Sequence, residues 1–267
     1  MTEWLGLPAL ATTHGGEIDS LIGWMHIFML LLFVGWGAFF VYVLIRFRRS
    51  RNPVANYAAV KSHASSYLEV TVAVVEMVLL FGFSIPLWAA RVDRIPPEHE
   101  ALVVHVTAEQ FAWNVRYAGP DGAFGRTDIK LIDIQSNPLG VDRADPAAKD
   151  DVTTLNQLYL PANRPIIVKL RSKDVIHSFG VPEFRVKQDA IPGLTIPIWF
   201  IPNVTTAEMR TRTGNPEFQY EIACAQLCGL GHYRMRGFVT VLSPEEFQKW
   251  MDEEQAKLKE QGESIWR

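Results

Sequence analysis

The sequence is poor in net charge, in repetition and in cysteine, and each scarcity excludes a class of protein. Its 267 residues carry a formal net charge of -3, which is too small to indicate nucleic-acid binding. The chain contains no internal repeat and no low-complexity tract. Its 2 cysteines do not form the Cys-x-x-Cys-His pattern that attaches haem covalently, so we expect no fused cytochrome domain.

Charged residues are also missing from one long N-terminal segment. Residues 21–45 contain no Asp, Glu, Lys or Arg, and as a helix they can cross a hydrocarbon core of about 30 Å. Residues 1–20 lack a basic region, so we do not interpret them as a signal peptide. Residues 70–90 form a second apolar run. We therefore predict a membrane hairpin followed by one globular domain.

A basic cluster separates the two apolar runs. It consists of Arg46, Arg48, Arg49, Arg51 and Lys61. Because basic residues are enriched in cytoplasmic loops, the connection is predicted to be cytoplasmic and both termini are predicted to lie on the outer side. The large C-terminal part of the chain is then expected outside the cytoplasm.

Two carboxylates interrupt the second apolar run. Glu69 and Glu76 lie two helical turns apart and therefore share one helix face. An ionisable side chain in lipid is costly, which makes it a functional candidate by default. A position in the headgroup region is the alternative interpretation of Glu69.

Beyond the hairpin, the chain alternates between apolar and polar residues over short stretches. Residues 101–117 show a period of two in two stretches, one with Val104 and Val106 and the other from Phe111 to Tyr117. Residues 166–171, 218–223 and 238–242 repeat the pattern, which is typical of strands with one buried face. Turn residues such as those at 119–122 separate the strands. Many short strands with polar connections predict a β-sandwich or barrel.

Two segments depart from this strand pattern. Residues 119–156 are too long for a hairpin loop and are rich in aspartate, so we predict a surface excursion. Residues 244–267 follow a helix-start signal at Ser243 and carry apolar side chains at helical spacing. The aspartates of the first segment include Asp142, Asp145, Asp150 and Asp151, and the apolar residues of the second include Phe247, Trp250, Met251 and Leu258. The second segment predicts a peripheral helix, docked on the domain or on a partner subunit.

The two cysteines share a short stretch with other metal-ligating residues. Cys224, Cys228, His232 and Met235 all lie within residues 224–235. Soft sulfur ligands with imidazole suit copper, and a weak thioether completes the usual copper electron-transfer set. A mononuclear site of that type needs a single thiolate, whereas two thiolates can bridge two ions that each take one outer imidazole. His177 is a candidate for the second imidazole.

Two other arrangements of these residues stay open at this point. A disulfide between Cys224 and Cys228 would suit an exported domain, but it would leave both histidines and Met235 unexplained. A closed tetrahedral zinc site would use two cysteines and two histidines. It would leave Met235 without a role, and the spacing is not that of a zinc finger.

Three motifs occur together in this order along the chain. Asp-Val-Ile-His lies at 174–177, Val-Lys-Gln-Asp-Ala-Ile-Pro-Gly at 186–193, and Cys-x-x-x-Cys-x-x-x-His-x-x-Met at 224–235. With the membrane hairpin before them, they closely resemble subunit II of haem–copper cytochrome c oxidase. The resemblance extends from the first apolar segment to about Leu242. It implies a cupredoxin-like domain whose metal loop joins two adjacent strands and holds CuA, a binuclear copper centre.

The resemblance also implies a ligand set. It assigns two copper ions to His177, Cys224, Cys228, His232, Met235 and the backbone carbonyl of Gln226. The thiolates would bridge the ions, each imidazole would cap one ion, and the thioether would be a weak ligand. Many family members have Glu at the position of Gln226, where its carboxylate joins a magnesium site at the border with subunit I. Because a carboxamide oxygen is a poorer ligand for a hard cation, the magnesium site is expected to be weakened or absent.

Further roles are carried over from the family. Trp113 matches a surface aromatic through which electrons are proposed to enter, although its alternation with Phe111 makes core packing the alternative. Glu69 matches a Glu at the mouth of a proton path into subunit I, whereas Glu76 falls where many members have Pro. Asp174 lies where the family uses acids to dock a basic cytochrome c, and an ordinary solvated acid is the alternative.

Together these residues predict the copper-bearing subunit of a respiratory cytochrome c oxidase. The subunit would pass electrons from cytochrome c, or from a cytochrome c domain of another subunit, to haem in subunit I. There oxygen is reduced to water and protons are translocated. Expected partners are subunit I with haem and CuB, subunit III, and the lipid of a bacterial cytoplasmic membrane. The predicted segments are an outer tail at 1–20, a transmembrane hairpin at 21–95, a CuA domain at 96–243 and a peripheral helix at 244–267.

Three other kinds of protein share part of this pattern. A quinol oxidase subunit shares the fold but lacks the copper ligands, all of which are present here. A membrane-tethered copper carrier would need an open or lower-coordinate site and no partner-facing carboxylates in its anchor. Nitrous oxide reductase has a similar copper loop, but it is a longer soluble protein without the hairpin.

Overall fold

The structure is a computed structural model that describes residues 5–55, 57–58, 62–133 and 136–265, with side chains up to residue 260. By its internal contacts the chain forms two units. Met1–Leu7 and Glu17–Ala90 belong to the first, and Pro8–Gly16 and Arg91–Arg267 belong to the second. The four segment boundaries predicted from the sequence remain predictions.

The first unit consists of long apolar helices. Helix α1 spans Gly15–Arg46, and a second helical run spans Ala64–Val92. The second run is made of α2 (Ala64–Met77), a π-helical stretch (Val78–Ser84) and α3 (Ile85–Val92). Both runs are long and apolar enough to cross a membrane, which agrees with the predicted transmembrane hairpin. Most of their large apolar side chains are exposed in the isolated chain, as expected where lipid is the solvent.

The second unit is a two-layer β-sandwich, as the alternating sequence pattern predicts. Its strands within the described residues are β1 (Leu102–Glu109), β2 (Ala112–Tyr117), β3 (Val152–Leu155), β4 (Gln157–Pro161), β5 (Ile166–Ser172), β6 (His177–Val181), β7 (Val186–Ala190), β8 (Ile196–Phe200), β9 (Tyr220–Cys224) and β10 (Arg236–Leu242). One sheet has the order β3-β2-β1-β5-β8, and the other has the order β4-β10-β9-β6-β7. The pairs β1–β5 and β4–β10 are parallel, and the remaining neighbours are antiparallel. The domain is cupredoxin-like, and the predicted fold class is confirmed.

The core lies between the two sheets. Along β1, Val104 and Val106 are fully buried while their neighbours are partly exposed, which is the period of two seen in the sequence. Phe179 on β6 and Val239 on β10 face them from the other sheet and are also fully buried. Burying side chains of this size stabilises the fold by roughly 1.5–3 kcal/mol each. This packing fixes the strands that carry the metal-ligating residues.

Part of the predicted N-terminal tail is an element of the β-domain. The backbone N–H of Ala11 donates to the carbonyl of Glu183 at 2.9 Å, and that of Thr13 donates to Ile201 at 3.2 Å. Ala11 is fully buried in the domain core. The segment just before α1 is therefore held by hydrogen bonds and apolar packing.

The excursion at 119–156 is anchored by a buried ion pair. Arg116 on β2 donates to Asp151, and both side chains are buried. Desolvation raises the pKa of Asp151 above its ordinary value, although the hydrogen bonds from Arg116 oppose this shift. Asp145, by contrast, pairs with the exposed Arg126 at 3.2 Å. The excursion is thus tied to the sandwich, and Asp151 is an internal anchor instead of a surface acid.

Helix α4 (Thr206–Thr213) lies between β8 and β9, and helix α5 (Pro244–Ile265) packs on the sandwich that precedes it. Phe247 is buried, and the ring of Trp250 stacks on Tyr159 of β4 with 4.4 Å between centroids. Ser243 accepts the N–H of Glu246 at 3.2 Å and caps the first turn. This helix is predicted to dock either on its own domain or on a partner subunit, and the structure shows contact with its own domain.

Candidate metal centre

Two adjacent strands bring the predicted metal ligands together. His177 begins β6 and Cys224 ends β9, and these strands pair antiparallel, so the two residues lie at the same end of the sheet. Cys228 and His232 lie in the connection between β9 and β10, and Met235 directly precedes β10. The loop therefore places four donors beside the one that β6 supplies.

The donor atoms form one cluster. The two thiol sulfurs, Sγ of Cys224 and Sγ of Cys228, are 3.8 Å apart. Nδ1 of His177 lies 3.9 Å from the Cys224 sulfur, and Nδ1 of His232 lies 3.7 Å from the Cys228 sulfur. Sδ of Met235 is 3.7 Å from the Cys228 sulfur. Each thiol sulfur therefore has the Nδ1 of a different imidazole beside it.

A backbone carbonyl also reaches this cluster. The Cys224 thiol donates to the carbonyl oxygen of Gln226 at 3.2 Å, while the Gln226 side chain belongs to an exposed residue. A carbonyl donor does not depend on the side chain that follows it. The replacement of Glu by Gln at this position therefore leaves the predicted sixth ligand in place.

Burial opposes ionisation of the Cys228 thiol. His177, Cys228 and Met235 are all buried. Desolvation, together with the neighbouring thiol of Cys224, raises the pKa of Cys228 to about 11. A bound cation would stabilise the thiolate, so metal binding at this site must release protons.

Asp174 orients the imidazole of His177. Its Oδ1 lies 2.8 Å from Nε2 of His177. Because a carboxylate only accepts hydrogen bonds, Nε2 carries the proton and Nδ1 keeps its lone pair, directed at the Cys224 sulfur. Partial burial opposes ionisation of Asp174, but hydrogen bonds from His177, Gln110 and Val175 outweigh it and lower its pKa. Asp174 is therefore not an ordinary solvated acid, and its predicted role in docking stays a prediction.

The donor set fits copper better than the alternatives. Both cysteines are free, and their sulfurs are farther apart than the roughly 2.05 Å of a disulfide bond. A tetrahedral zinc site would use four of these donors and leave the buried thioether of Met235 unexplained. Two thiols, two imidazoles and a thioether match the soft ligands that copper prefers.

Trp113 is not a surface residue. Its side chain is 0% exposed, and its ring centroid lies 6.3 Å from that of His177 and 5.7 Å from that of Phe179. The predicted surface position is therefore wrong, because the residue packs in the core beside a metal-ligating histidine. That electrons enter through it stays an untested prediction.

Phe111 and Gln110 contact the metal loop, and sequence reasoning missed both contacts. The strands β1 and β2 end on either side of residues 110–111, so Phe111 lies in a turn and not on the strand face that carries Trp113. Its ring is partly exposed and touches Gly231 of the loop. The alternation changes phase between Val106 and Phe111, which indicates a break between two strands, but no sequence signal showed that this break contacts the metal loop.

The glutamates of the membrane unit share an exposed face. Glu69 and Glu76 of α2 are both exposed in the isolated chain. The neighbouring residues Val75 and Leu79 instead line a groove together with residues of α1. Helix α1 therefore leaves the face with both carboxylates uncovered, and the predicted proton path at Glu69 stays a prediction.

Comparisons with known proteins agree on one family. Residues 102–241 match the family model described as "Cytochrome C oxidase subunit II, periplasmic domain". The chain is 32% identical over 254 residues to the alternative cytochrome c oxidase subunit 2 of Bradyrhizobium diazoefficiens, covering 95% of this chain and 85% of that protein. It is 29% identical over 242 residues to the heme-copper oxidase subunit 2 of Aeropyrum pernix, covering 84% and 86% of the two chains. A crystal structure of the periplasmic domain of subunit II of cytochrome oxidase from Bradyrhizobium japonicum is 28% identical, covers 62% of this chain and 99% of that chain, and gives a TM-score of 0.41.

Proposed function

Because the chain belongs to the cytochrome c oxidase subunit II family, we propose that it is the electron-accepting copper subunit of such an oxidase. One observation carries the proposal. Two free thiols lie 3.8 Å apart, and each has the Nδ1 of a different imidazole within 3.9 Å. Two thiolates and two imidazoles in this arrangement could hold two copper ions.

Each residue of the cluster has a definite part in holding a copper pair. Cys224 and Cys228 would bridge, His177 and His232 would each cap one ion, and Met235 would be the weak thioether ligand. The carbonyl of Gln226 would complete the set. A copper pair bound here supplies one-electron redox chemistry. The buried strands limit rearrangement of the donors between redox states, which favours rapid electron transfer.

The surface around the cluster supports a role in a complex. Leu227, Leu230 and Tyr233 project from the metal loop and are 78%, 97% and 84% exposed. Clustered exposed apolar side chains mark interaction sites in soluble domains. We assign this apolar rim to contact with partner proteins, either the haem-bearing subunit I or a cytochrome c donor. The domain would then lie on the outer side of a bacterial cytoplasmic membrane, with oxygen reduction and proton translocation in subunit I.

Purification from the native membrane tests the proposal. We expect two copper ions per chain, a near-infrared band and an electron paramagnetic resonance signal of one electron shared by two ions. Co-purification with a haem protein would separate an oxidase subunit from a membrane-tethered copper carrier. A colourless chain, or one that holds zinc, would contradict the proposal. Cys228→Ser should abolish the shared-electron signal, because one bridge is lost.

A further inference from the structure

We propose that Gln110 is a positioning residue that ties the two ligand-bearing segments of the metal centre together. The inference rests on the copper-binding function proposed above. Gln110 lies in the turn between β1 and β2 and supplies none of the proposed ligands. Its contacts reach both the loop that carries Cys228 and the segment that carries His177.

The first contact is made by the side chain. Nε2 of Gln110 donates to the backbone carbonyl of Cys228 at 2.6 Å. Cys228 lies in the connection between β9 and β10, where its carbonyl lacks the regular pairing of a strand. The amide of Gln110 therefore holds the loop at the very residue that supplies the second thiol.

The second contact is made by the backbone. The N–H of Gln110 donates to Oδ2 of Asp174 at 2.7 Å, and Oδ1 of the same carboxylate accepts from Nε2 of His177 at 2.8 Å. One continuous chain of hydrogen bonds therefore runs from the carbonyl of Cys228 through Gln110 and Asp174 to His177. It connects the two segments independently of the pairing between β6 and β9.

Close packing around the turn supports the same role. A Cβ added at Gly229, where φ is +130°, would lie 2.7 Å from Nε2 of Gln110. A Cβ added at Gly231 would lie 2.4 Å from Cδ2 of Phe111. A side chain at Gly231 would collide with the Phe111 ring, and the positive φ of Gly229 also favours glycine, so the turn and the metal loop are in close contact. The hydrogen bonds therefore act between surfaces that are already in contact.

The hydrogen bonds of Gln110 have a measurable consequence for metal binding. The ligands of a binuclear site lie on separate segments, and affinity depends on how much of their arrangement exists before the metal arrives. Groups that orient metal ligands typically change affinity by about 10–100-fold when they are removed. We expect Gln110→Glu to weaken copper binding by roughly 10-fold, because an acceptor then faces the Cys228 carbonyl.

Full-length chain in detergent allows two independent measurements. Copper affinity is measured by chelator competition with the wild type, Gln110→Glu and the uncharged Gln110→Ala. Hydrogen exchange at the amides of residues 228–232 is measured in the metal-free protein. Both variants should bind copper more weakly, and both should exchange faster than the wild type. The exposed Gln219, which lies outside the cluster, gives the matched control Gln219→Glu, and it should behave as the wild type.

The outcomes distinguish this inference from the proposed function. If the wild type binds copper and both Gln110 variants match it in copper affinity and amide exchange, the positioning role of Gln110 is refuted. If the wild type does not bind copper, the proposed function fails, and amide exchange alone decides whether Gln110 holds the metal loop. In a double variant with Asp174→Asn, one connected network predicts a loss smaller than the product of the two single losses. A loss equal to that product would count against a single network.

Discussion

His177 and Asp174 form a carboxylate–imidazole pair in which Oδ1 of the acid lies 2.8 Å from Nε2 of the ring. The pair leaves Nδ1 of His177 directed at the sulfur of Cys224, 3.9 Å away. A surface acid suited to docking a basic partner was predicted at residue 174. The observed contact gives the same carboxylate an internal task, which is to fix the tautomer of a metal-ligating ring.

The carboxylate of Asp174 should matter for copper affinity. Asp174→Asn removes the negative charge behind His177, so the imidazole becomes a weaker donor, and we expect about 10-fold weaker copper binding. Chelator competition on the full-length chain measures this change. Asp189→Asn, at an exposed position on β7, is the control. Equal affinities for the two variants would show that the contact does not tune the ligand.

Met235 should tune the copper site without being needed to fill it. Met235→Leu conserves most of the side-chain volume but removes the thioether, so copper content should stay near the wild-type value. The electron paramagnetic resonance and near-infrared spectra should shift, because one ion loses a weak ligand. Met209→Leu, at another fully buried methionine, controls for packing. An unchanged spectrum for Met235→Leu would exclude the thioether from the ligand set.

Replacing Trp113 is expected to lower the stability of the β-domain. Trp113→Gln places an amide in the core and leaves a cavity, so the free energy of unfolding should fall by about 3–5 kcal/mol. Denaturant unfolding of the metal-free chain measures this loss, and Phe111→Leu, in the partly exposed turn, should cost less. Normal stability combined with slow electron arrival from cytochrome c would instead favour the electron-entry role predicted from the sequence.

The membrane glutamates can be separated by charge-neutral substitution. We expect Glu69→Gln in the assembled oxidase to slow turnover several-fold, because a protonatable group at a proton path cannot be replaced by an amide. Glu76→Gln is the comparison on the same helix face, two turns away. Turnover and proton pumping are measured for both variants. Wild-type rates in Glu69→Gln would remove the proposed path.

Acid should destabilise the β-domain through His105. Burial, together with nearby Arg171, Lys169 and Arg116, lowers the pKa of His105 to about 4. Between about pH 6.5 and 4 the unfolded chain therefore takes up a proton that the folded chain excludes, and stability falls as pH falls.

The size of this effect can be isolated with one substitution. His105→Phe retains the stacking with Phe124 but removes the titration. As pH falls, the free energy of unfolding of the variant should therefore decrease by about 1.4 kcal/mol per pH unit less than that of the wild type. Unfolding of the full-length chain at pH 5 and 6 provides the two slopes. His99→Phe changes an exposed histidine and should keep the wild-type slope. If His105→Phe keeps it as well, His105 is not the responsible group.

Local patterns were sufficient to predict several features of this protein. Apolar length alone determined the two membrane helices, since crossing a hydrocarbon core needs a fixed number of apolar residues. A period of two in side-chain polarity determined the strands, because each strand has one buried face. Four proposed copper ligands lie in one short loop, so spacing alone could group Cys224, Cys228, His232 and Met235.

Other features depended on contacts between distant segments. Whether Trp113 faces water or the core depends on which face of β2 the second sheet covers, and alternation along one strand does not show which face that is. The partners of Asp174 depend on the turn at 110–111 and on the place where β6 begins beside β9. Asp151 became an internal anchor because Arg116 faces it from β2. The sequence thus determined which residues can bind metal and span a membrane, while the tertiary structure decided which groups orient them, because hydrogen bonds between remote segments exist only once the sheets have packed.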